Sequence, residues 1–187
     1  MNQKNKNFFF NILVIYSIVT LIIIILLVFQ NRDLKYKIKR GRLPLPFLQV
    51  GDTLLPFNTK DHNENFVEIS YGKSEKNKVF FVFSSSCNEC NRMIPIWKSL
   101  NSKINTDKYE VWGVLINEKE LSEKIKKELN NNFKVITFPN LGIQIDYKIF
   151  NSPITIVVNP LGKVEKIWRG EMDEYSFHEA SKILWED

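Results

Sequence analysis

The hydrophobic pattern of the chain begins with one long uncharged segment. Residues 8–29 contain no charged side chain, and only Asn11, Ser17 and Thr20 interrupt the apolar run. About 20 apolar residues cross the hydrocarbon core of a bilayer, whereas a secretory signal has a shorter apolar core and a small-residue cleavage site, which we do not find here. The pattern therefore predicts an uncleaved transmembrane helix over residues 8–29, preceded by a short tail at residues 1–7.

Short β-prone runs alternate with amphipathic segments in the rest of the chain. The predicted strands are 57–60 and 66–69, which flank an Asn-rich turn as an N-terminal β-hairpin, and 79–83, 109–116, 133–138, 154–158 and 163–168. The predicted helices are 87–103 with a kink at Pro95, 118–130, a short one at most within 142–150, and 173–185 with Asp173 as its N-cap. This order indicates an α/β domain over residues 47–187, with a mixed sheet flanked by helices.

The basic residues are concentrated next to the apolar segment. The whole chain carries 26 Lys and Arg against 21 Asp and Glu, a formal net charge of +5. Residues 1–46 contain eight of the basic residues and one acid, so they carry +7 and the predicted domain carries −2. Residues 30–46 combine this charge with Pro44 and Pro46, which predicts an extended, exposed linker. We expect the segment 8–29 and this basic linker to contact membrane lipid, and the charge distribution argues against nucleic-acid binding.

The chain has only two cysteines, Cys87 and Cys90, which stand between a predicted strand and a predicted helix. At such a junction the first thiol faces the positive end of the helix dipole, which lowers its pKa, and the second lies one turn inside, within disulfide reach. This spacing predicts thiol–disulfide exchange, in which Cys87 forms a mixed disulfide with a client protein and Cys90 resolves it. The Ser86 hydroxyl favours the Cys87 thiolate and Glu89 opposes it, which predicts a comparatively reducing potential.

No metal or cofactor is expected at the cysteine pair. A structural zinc site needs four ligands, and the only histidines, His62 and His178, are not spaced as ligands to the pair. A c-type haem would need histidine at position 91, which is Asn91. The alternatives to exchange chemistry for this pair are a structural disulfide and half of a metal site.

The arrangement of these motifs resembles the thioredoxin fold. Its parts are the cysteine pair after a strand, Pro95 in the following helix, Ser152 and Pro153 at the start of a later strand, and a final hairpin and helix. Within that fold, residues 48–187, and in particular the opening at 50–57, are similar to the membrane-anchored TlpA/ResA-like thiol–disulfide oxidoreductases. The resemblance implies that Pro153 is cis beside the dithiol and that the backbone of Ser152 pairs with an incoming client chain. It also implies client proteins and a membrane or soluble electron donor as partners.

Several positions depart from the pattern of that family. Ser86 replaces the tryptophan that usually precedes the first cysteine, as in the MauD-like and redoxin-like variants, and Glu89 replaces the proline that usually precedes the second. Phe81 and Met93 stand where related proteins carry an acid near the dithiol. Glu89 is therefore the nearest acid that could exchange a proton with Cys90.

Two other functions stay open. Ser84 stands three residues before Cys87, where peroxiredoxin-like peroxidases keep a hydroxyl, although a resolving cysteine only three residues further on is unusual for them. The chain could also be a membrane-anchored binding module in which catalysis is secondary. Insulin reduction and peroxide consumption distinguish these functions from protein thiol–disulfide exchange.

The topology signals of the chain conflict. Two lysines precede the segment 8–29, and six Lys and Arg follow it within the linker. The positive-inside rule would therefore place the domain in the cytoplasm. A membrane-tethered dithiol domain, however, meets protein disulfides mainly in the compartments where disulfides form. We predict a single-pass cell-membrane protein whose catalytic domain is extracytoplasmic.

Overall fold

The computed structural model describes residues 15–32, 47–117, 123–129 and 132–186. Contacts divide the chain into two units, Met1–Leu45 and Pro46–Asp187. In the first unit, helix α1 (Ile15–Arg32) has the length and apolar composition of a membrane span, a test that a signal sequence also passes. The predicted span is thus described as a helix from residue 15 onward. The rest of the prediction, at residues 1–14 and 33–46, lies outside the described residues.

The hydroxyl of Thr20 in helix α1 is satisfied within the helix. The hydroxyl of Thr20 donates a hydrogen bond to the carbonyl oxygen of Tyr16 at 3.0 Å. In hydrocarbon such a hydroxyl has no water to bond, so this contact lowers the cost of placing Thr20 in a membrane. The large apolar side chains of the helix are exposed, as they must be if lipid is to surround them.

The N-terminal hairpin of the second unit forms as predicted. Strands β1 (Phe57–Lys60) and β2 (Phe66–Ile69) pair antiparallel. The turn is organised by Asp61, whose carboxylate accepts hydrogen bonds from the backbone N–H of Asn63 at 2.8 Å and of Asn65 at 2.9 Å. Asp and Asn favour turns because their side chains can bond to nearby backbone groups.

Five further strands form the central mixed sheet: β3 (Asn77–Phe83), β4 (Tyr109–Leu115), β5 (Lys134–Thr137), β6 (Ile154–Val158) and β7 (Val164–Arg169). Their order is β5-β4-β3-β6-β7. The strands β3, β4 and β5 are parallel, and β6 is antiparallel to both of its neighbours. The central strand β3 is buried on both faces, as its continuous apolar run predicts.

The described residues of this unit also form four helices: α2 (Asn88–Ser102), α3 (Glu123–Leu129), α4 (Leu141–Asp146) and α5 (Glu174–Glu186). Helix α2 begins one residue later than predicted, because Cys87 has an extended backbone and serves as the N-cap. Pro95 lies inside α2. The predicted helix 118–130 is described only as α3, since residues 118–122 and 130 lie outside the described residues.

Side-chain caps determine where the two later helices begin. Asn140 accepts a hydrogen bond from the backbone N–H of Ile143 at 3.1 Å, so α4 starts just after Asn140. The helix ends at Asp146, before the predicted limit of 150. Asp173 accepts from the N–H of Ser176 at 2.8 Å, in the capping position predicted for it. Side-chain capping thus explains where α4 and α5 begin.

The core consists of one apolar cluster on each face of the sheet. Because side chains alternate along a strand, Phe81 and Phe83 of β3 face one side, and Phe80 and Val82 face the other. The first pair packs with α2 and α5, where the Trp97 ring stacks on Phe81 with centroids 5.4 Å apart. The second pair packs with the hairpin and the end of α4.

The pairing of β3 with β6 determines where the functional residues meet. The two strands are antiparallel, and Val82 lies opposite Ile154. The C-terminal end of β3 and the N-terminal end of β6 therefore lie side by side at one edge of the sheet. We call this edge, with residues 84–90 and 150–153, the dithiol edge.

Candidate active site

The cysteine pair sits at the N-terminus of α2 and is joined as a disulfide, with Cα atoms 5.3 Å apart. Cys87 is the N-cap, and its Sγ accepts a hydrogen bond from the backbone N–H of Cys90 at 3.2 Å. The N–H of Cys87 in turn donates to the carbonyl oxygen of Ser84 at 3.2 Å. Cys87 is half-buried, whereas Cys90 is completely buried. One sulfur can therefore be approached from solvent, and the other is shielded behind it.

The predicted proline lies next to this pair. The peptide bond between Ser152 and Pro153 is cis. The carbonyl oxygen of Ser152 lies 3.6 Å from Sγ of Cys87. Pro153 is buried, and its carbonyl oxygen accepts a hydrogen bond from the N–H of Gly170 at 2.9 Å, which attaches this loop to the end of β7. The fold thus brings the pair Cys87 and Cys90 together with Ser152 and Pro153, which follow more than 60 residues later in the sequence.

The two other predicted site residues flank Cys87. The exposed side chain of Glu89 places Oε2 at 3.7 Å from the Cys87 Sγ. A carboxylate at this distance disfavours a negative charge on the sulfur. The hydroxyl of Ser86, also exposed, lies 2.9 Å from the hydroxyl of the buried Ser84. Ser86 therefore belongs to the polar rim of the dithiol edge.

Apolar side chains surround the buried sulfur. Cys90 belongs to the same buried cluster as Phe81, Met93 and Trp97. Met93, one helical turn after Cys90, is fully buried, and its Sδ accepts a hydrogen bond from the N–H of Met172 at 3.3 Å. Apolar surroundings disfavour a charged sulfur, so Cys90 is a poor leaving group unless a proton donor assists its departure, and as a thiol it needs a base before it can attack a mixed disulfide.

An ion pair forms on α2 shortly after the dithiol, and no motif in the sequence indicates it. Arg92 of α2 binds Glu171 in the loop after β7, with Nε donating to Oε1 at 2.6 Å. This hydrogen bond raises the pKa of Arg92 and lowers that of Glu171. The two residues are far apart in the chain, and no local pattern links them. With the contact between Met93 and Met172, the pair holds the loop after β7 against α2.

The histidines lie apart from this site in the sequence and in the contacts they make. His62 follows the hairpin turn residue Asp61, and its backbone N–H bonds to Val135 on β5. His178 is exposed on α5. Among the described residues, no three His, Cys, Asp or Glu side chains come close enough to hold a metal ion.

Comparison with known proteins gives consistent matches. Residues 50–167 match the sequence profile of the AhpC/TSA family. The chain is 25% identical over 139 residues to the thiol-disulfide oxidoreductase ResA of Bacillus subtilis (strain 168), covering 73% of this chain and 76% of that protein. It is 24% identical over 138 residues to the ResA of Halalkalibacterium halodurans, covering 73% and 77% of the two proteins.

Solved structures show the same fold at lower identity. StoA from Bacillus subtilis superposes with a TM-score of 0.54 at 17% identity, covering 71% of this chain and 96% of that one. The exposed lipoprotein thioredoxin Etrx1 from Streptococcus pneumoniae superposes with a TM-score of 0.55 at 20% identity, covering 69% and 99%. These matches confirm the predicted thioredoxin-like α/β fold.

Proposed function

The chain belongs to the AhpC/TSA family, and we propose that it is a thiol–disulfide oxidoreductase, tethered to a membrane, that exchanges electrons with client proteins through Cys87 and Cys90. One observation carries this proposal. The half-buried sulfur of Cys87 lies at a helix N-terminus, 3.6 Å from the backbone of Ser152, while Cys90 is shielded behind it. The names of two relatives, both thiol-disulfide oxidoreductases, support the same reaction class.

The exchange reaction starts with an attack on Cys87. A client thiolate attacks the Cys87 Sγ, the bond between Cys87 and Cys90 breaks, and Cys90 leaves as a thiolate that takes up a proton. A second client thiolate then attacks the client sulfur of the mixed disulfide and releases Cys87 as a thiolate. The client dithiol has become a disulfide, and the Cys87–Cys90 pair has taken up the two electrons. The reverse sequence reduces a client disulfide, and the direction depends on the two potentials.

Local interactions make Cys87 the sulfur that reacts with clients. Its Sγ accepts a hydrogen bond from the N–H of Cys90 and faces the positive end of α2, which is 15 residues long. Both interactions stabilise a thiolate. Cys90 is completely buried among apolar side chains, so a client cannot reach its sulfur. Cys90 therefore acts as the resolving cysteine.

The loop beside the dithiol supplies a place for the client backbone. The carbonyl oxygen of Ser152 faces Cys87, so an extended client chain that bonds to this backbone brings its own sulfur to the Cys87 Sγ. Pro153 holds the loop at that position, and Ser86 contributes a hydroxyl at the rim. Glu89 modulates the Cys87 thiolate. No cofactor is needed for this chemistry.

We further propose how the chain is arranged. Residues 1–7 form a tail, 8–29 a single transmembrane anchor, 30–46 a basic linker at the lipid surface and 47–187 the catalytic domain. We place this domain outside the cytoplasm, where a client disulfide and a membrane or soluble electron donor would meet it. A membrane-impermeant maleimide tests the placement in intact cells after mild reduction. Labelling of Cys87 supports it, and labelling only after lysis contradicts it.

The activity is tested with the full chain in lipid nanodiscs. We expect insulin reduction to be lost in Cys87→Ser, and Cys90→Ala to accumulate a mixed disulfide with its client because resolution is blocked. Cys87→Ser carried through the same trapping procedure is the matched control and should give no adduct. Insulin reduction that survives in Cys87→Ser would refute the proposal. Cysteine-dependent peroxide consumption would support the peroxidase alternative, and the absence of both activities would support a binding module.

A further inference from the structure

The turn between β6 and β7 presents a large apolar side chain to solvent. Leu161, at the tip of this turn, is 74% exposed. The side chain of Asn159 accepts hydrogen bonds from the backbone N–H groups of Leu161 and Lys163, each at 3.0 Å. Gly162 completes the turn with a φ of +84°, a conformation that favours glycine. These interactions fix the conformation of the turn and leave the Leu161 side chain exposed to solvent.

A second exposed leucine lies at the same end of the sheet. The N–H of Leu54 donates to the carbonyl oxygen of Gly162 at 2.8 Å, and Thr53 pairs with Lys163. The side chain of Leu54 is buried in the core, whereas that of Leu55 is 58% exposed. Two leucines thus project from neighbouring backbone segments. We call Leu55 and Leu161 the leucine tip.

Lysines surround the leucine tip. The turns before β3 and β4 and after β6 all lie at the edge opposite Cys87, because β3 and β4 are parallel and β6 is antiparallel to them. These turns, at residues 71–76, 103–108 and 159–163, define the lysine edge. Its charged side chains, all exposed, are Lys73, Lys76, Lys103, Lys108 and Lys163, with Glu75 and Asp107. Five lysines and two acids give the lysine edge a charge of +3.

This charge contrasts with that of the domain as a whole. Residues 47–187 carry 18 Lys and Arg and 20 Asp and Glu, so the remainder of the domain carries −5. Neighbouring turns also contact one another, since Lys76 donates to the carbonyl oxygen of Thr106 at 2.8 Å and Gly72 to that of Pro160 at 2.6 Å. Of the five lysines, Lys73 pairs with an acid outside the lysine edge, Glu68 on β2. With Glu68 included, the group still carries a net +2, so excess positive charge remains next to the leucine tip.

We propose that the lysine edge and the leucine tip dock on the surface of an anionic phospholipid bilayer. Apolar side chains among lysines suit that surface, because the leucines enter the headgroup region while the ammonium groups pair with lipid phosphates. The proposal rests on the tether proposed above. The 14 residues between Arg32 and Phe47 extend at most about 50 Å, at roughly 3.6 Å per residue, so a bilayer that holds α1 stays within reach of the domain.

Docking in this way determines which side of the domain faces the aqueous phase. Strand β3 runs from Asn77 at the lysine edge to Phe83, just before the dithiol edge. Seven strand residues span about 23 Å. With the lysine edge on lipid, the Cys87 sulfur lies on the far side of the sheet from the bilayer. Clients then reach Cys87 from the aqueous side, at a distance from the lipid headgroups.

The test places a photo-crosslinking residue at the tip of the turn. The full chain, with p-benzoylphenylalanine replacing Leu161, is irradiated in nanodiscs of phosphatidylglycerol or phosphatidylcholine, and phospholipid adducts are measured by mass spectrometry. The matched control carries the same residue at Leu141, which is 66% exposed at the start of α4, after the C-terminal end of β5. We expect adducts at position 161 and few at 141, with a higher yield in phosphatidylglycerol.

A charge variant tests the contribution of the lysines. In phosphatidylglycerol discs at low salt, Lys163→Gln should lower the adduct yield at position 161 by up to about fivefold, the contribution of one lysine at an anionic surface. Equal yields at 161 and 141, or adducts at 161 with protein alone, would overturn the proposal. If the chain stays in the discs and reduces insulin but gives no adduct at 161, docking is wrong and the proposed function stands. A chain that leaves the discs overturns the tether and the docking together.

Discussion

The sulfur of Cys87 lies 3.6 Å from the carbonyl oxygen of Ser152, 65 residues further along the chain. This proximity depends on the register between β3 and β6, in which Val82 faces Ile154. In the proposed function, this proximity aligns a client chain that bonds to the Ser152 backbone with the Cys87 sulfur. Holding two reacting groups in contact in this way removes much of the entropic cost of their encounter.

We predict that Glu89→Gln makes the protein more oxidising. The Glu89 carboxylate lies 3.7 Å from the Cys87 Sγ, so its removal stabilises the thiolate and hence the reduced form. Two charges at about this distance interact by roughly 1 kcal/mol in water, which corresponds to a rise in reduction potential of about 20 mV. Equilibration with glutathione measures the potential. Glu75→Gln, at the lysine edge, is the control and should leave the potential unchanged; a fall in the Glu89→Gln potential would contradict the prediction.

We predict that Met93→Glu accelerates resolution of the mixed disulfide. Met93 is buried one turn after Cys90, so a carboxylate there can accept the Cys90 proton. A positioned base typically increases a proton-transfer rate by at least about 100-fold. Stopped-flow decay of the mixed disulfide at neutral pH measures this step.

The control for this variant separates basicity from polarity. Met93→Gln buries a polar group of the same size that cannot accept the proton. Both variants should be less stable than the natural chain, because Met93 is fully buried among apolar side chains, where a polar group loses its hydration. Equal resolution rates in the two variants would show that proton acceptance does not limit the step.

We predict that Thr155→Val destabilises the domain although it preserves the shape of the side chain. The Trp97 Nε1–H donates to the Thr155 Oγ1 at 2.8 Å in a buried site. Loss of the acceptor leaves a buried donor unsatisfied, which costs about 1–3 kcal/mol of unfolding free energy. Urea denaturation followed by circular dichroism measures this cost. Adding Trp97→Phe removes the donor too, so the double variant should lose less than the sum of the single variants; strict additivity would contradict this account.

We predict that Glu179 contributes to the loss of stability in acid. The hydrogen bond from the Trp168 Nε1–H at 2.9 Å, and then that from Lys166, lower the pKa of Glu179 below its usual value. A lowered folded-state pKa means that this stabilisation is complete above the unfolded pKa, near 4.3, and is lost as the pH falls through the folded value. Glu179→Gln keeps an acceptor for Trp168 but does not titrate. Its stability should therefore fall less steeply below about pH 5, and an identical slope would exclude a role for Glu179.

Much of the local structure follows from short-range chemistry that the sequence displays. The run at 79–83 predicts a strand buried on both faces because every residue in it is apolar. Asp61 and the asparagines after it predict the hairpin turn, since their side chains can bond to backbone amides within the turn. The position of Cys87 before a helical pattern predicts a sulfur at a helix N-terminus, and the uncharged length of 8–29 predicts a membrane span. Each of these predictions needs only neighbours along the chain.

Only the tertiary structure determined the distances on which the chemistry depends. The contact between Cys87 and Ser152 requires the β3–β6 register, and the ion pair of Arg92 with Glu171 requires α2 and the loop after β7 to be packed together. The clustering of lysines around Leu161 requires three separate turns to meet at one edge of the sheet. Periodicity and capping act over a few residues, whereas strand pairing joins residues many positions apart. The sequence could therefore predict the dithiol, and its resemblance to a family could predict Ser152 and Pro153 beside it, whereas the distances to these groups and the ion pair of Arg92 come only from the folded chain.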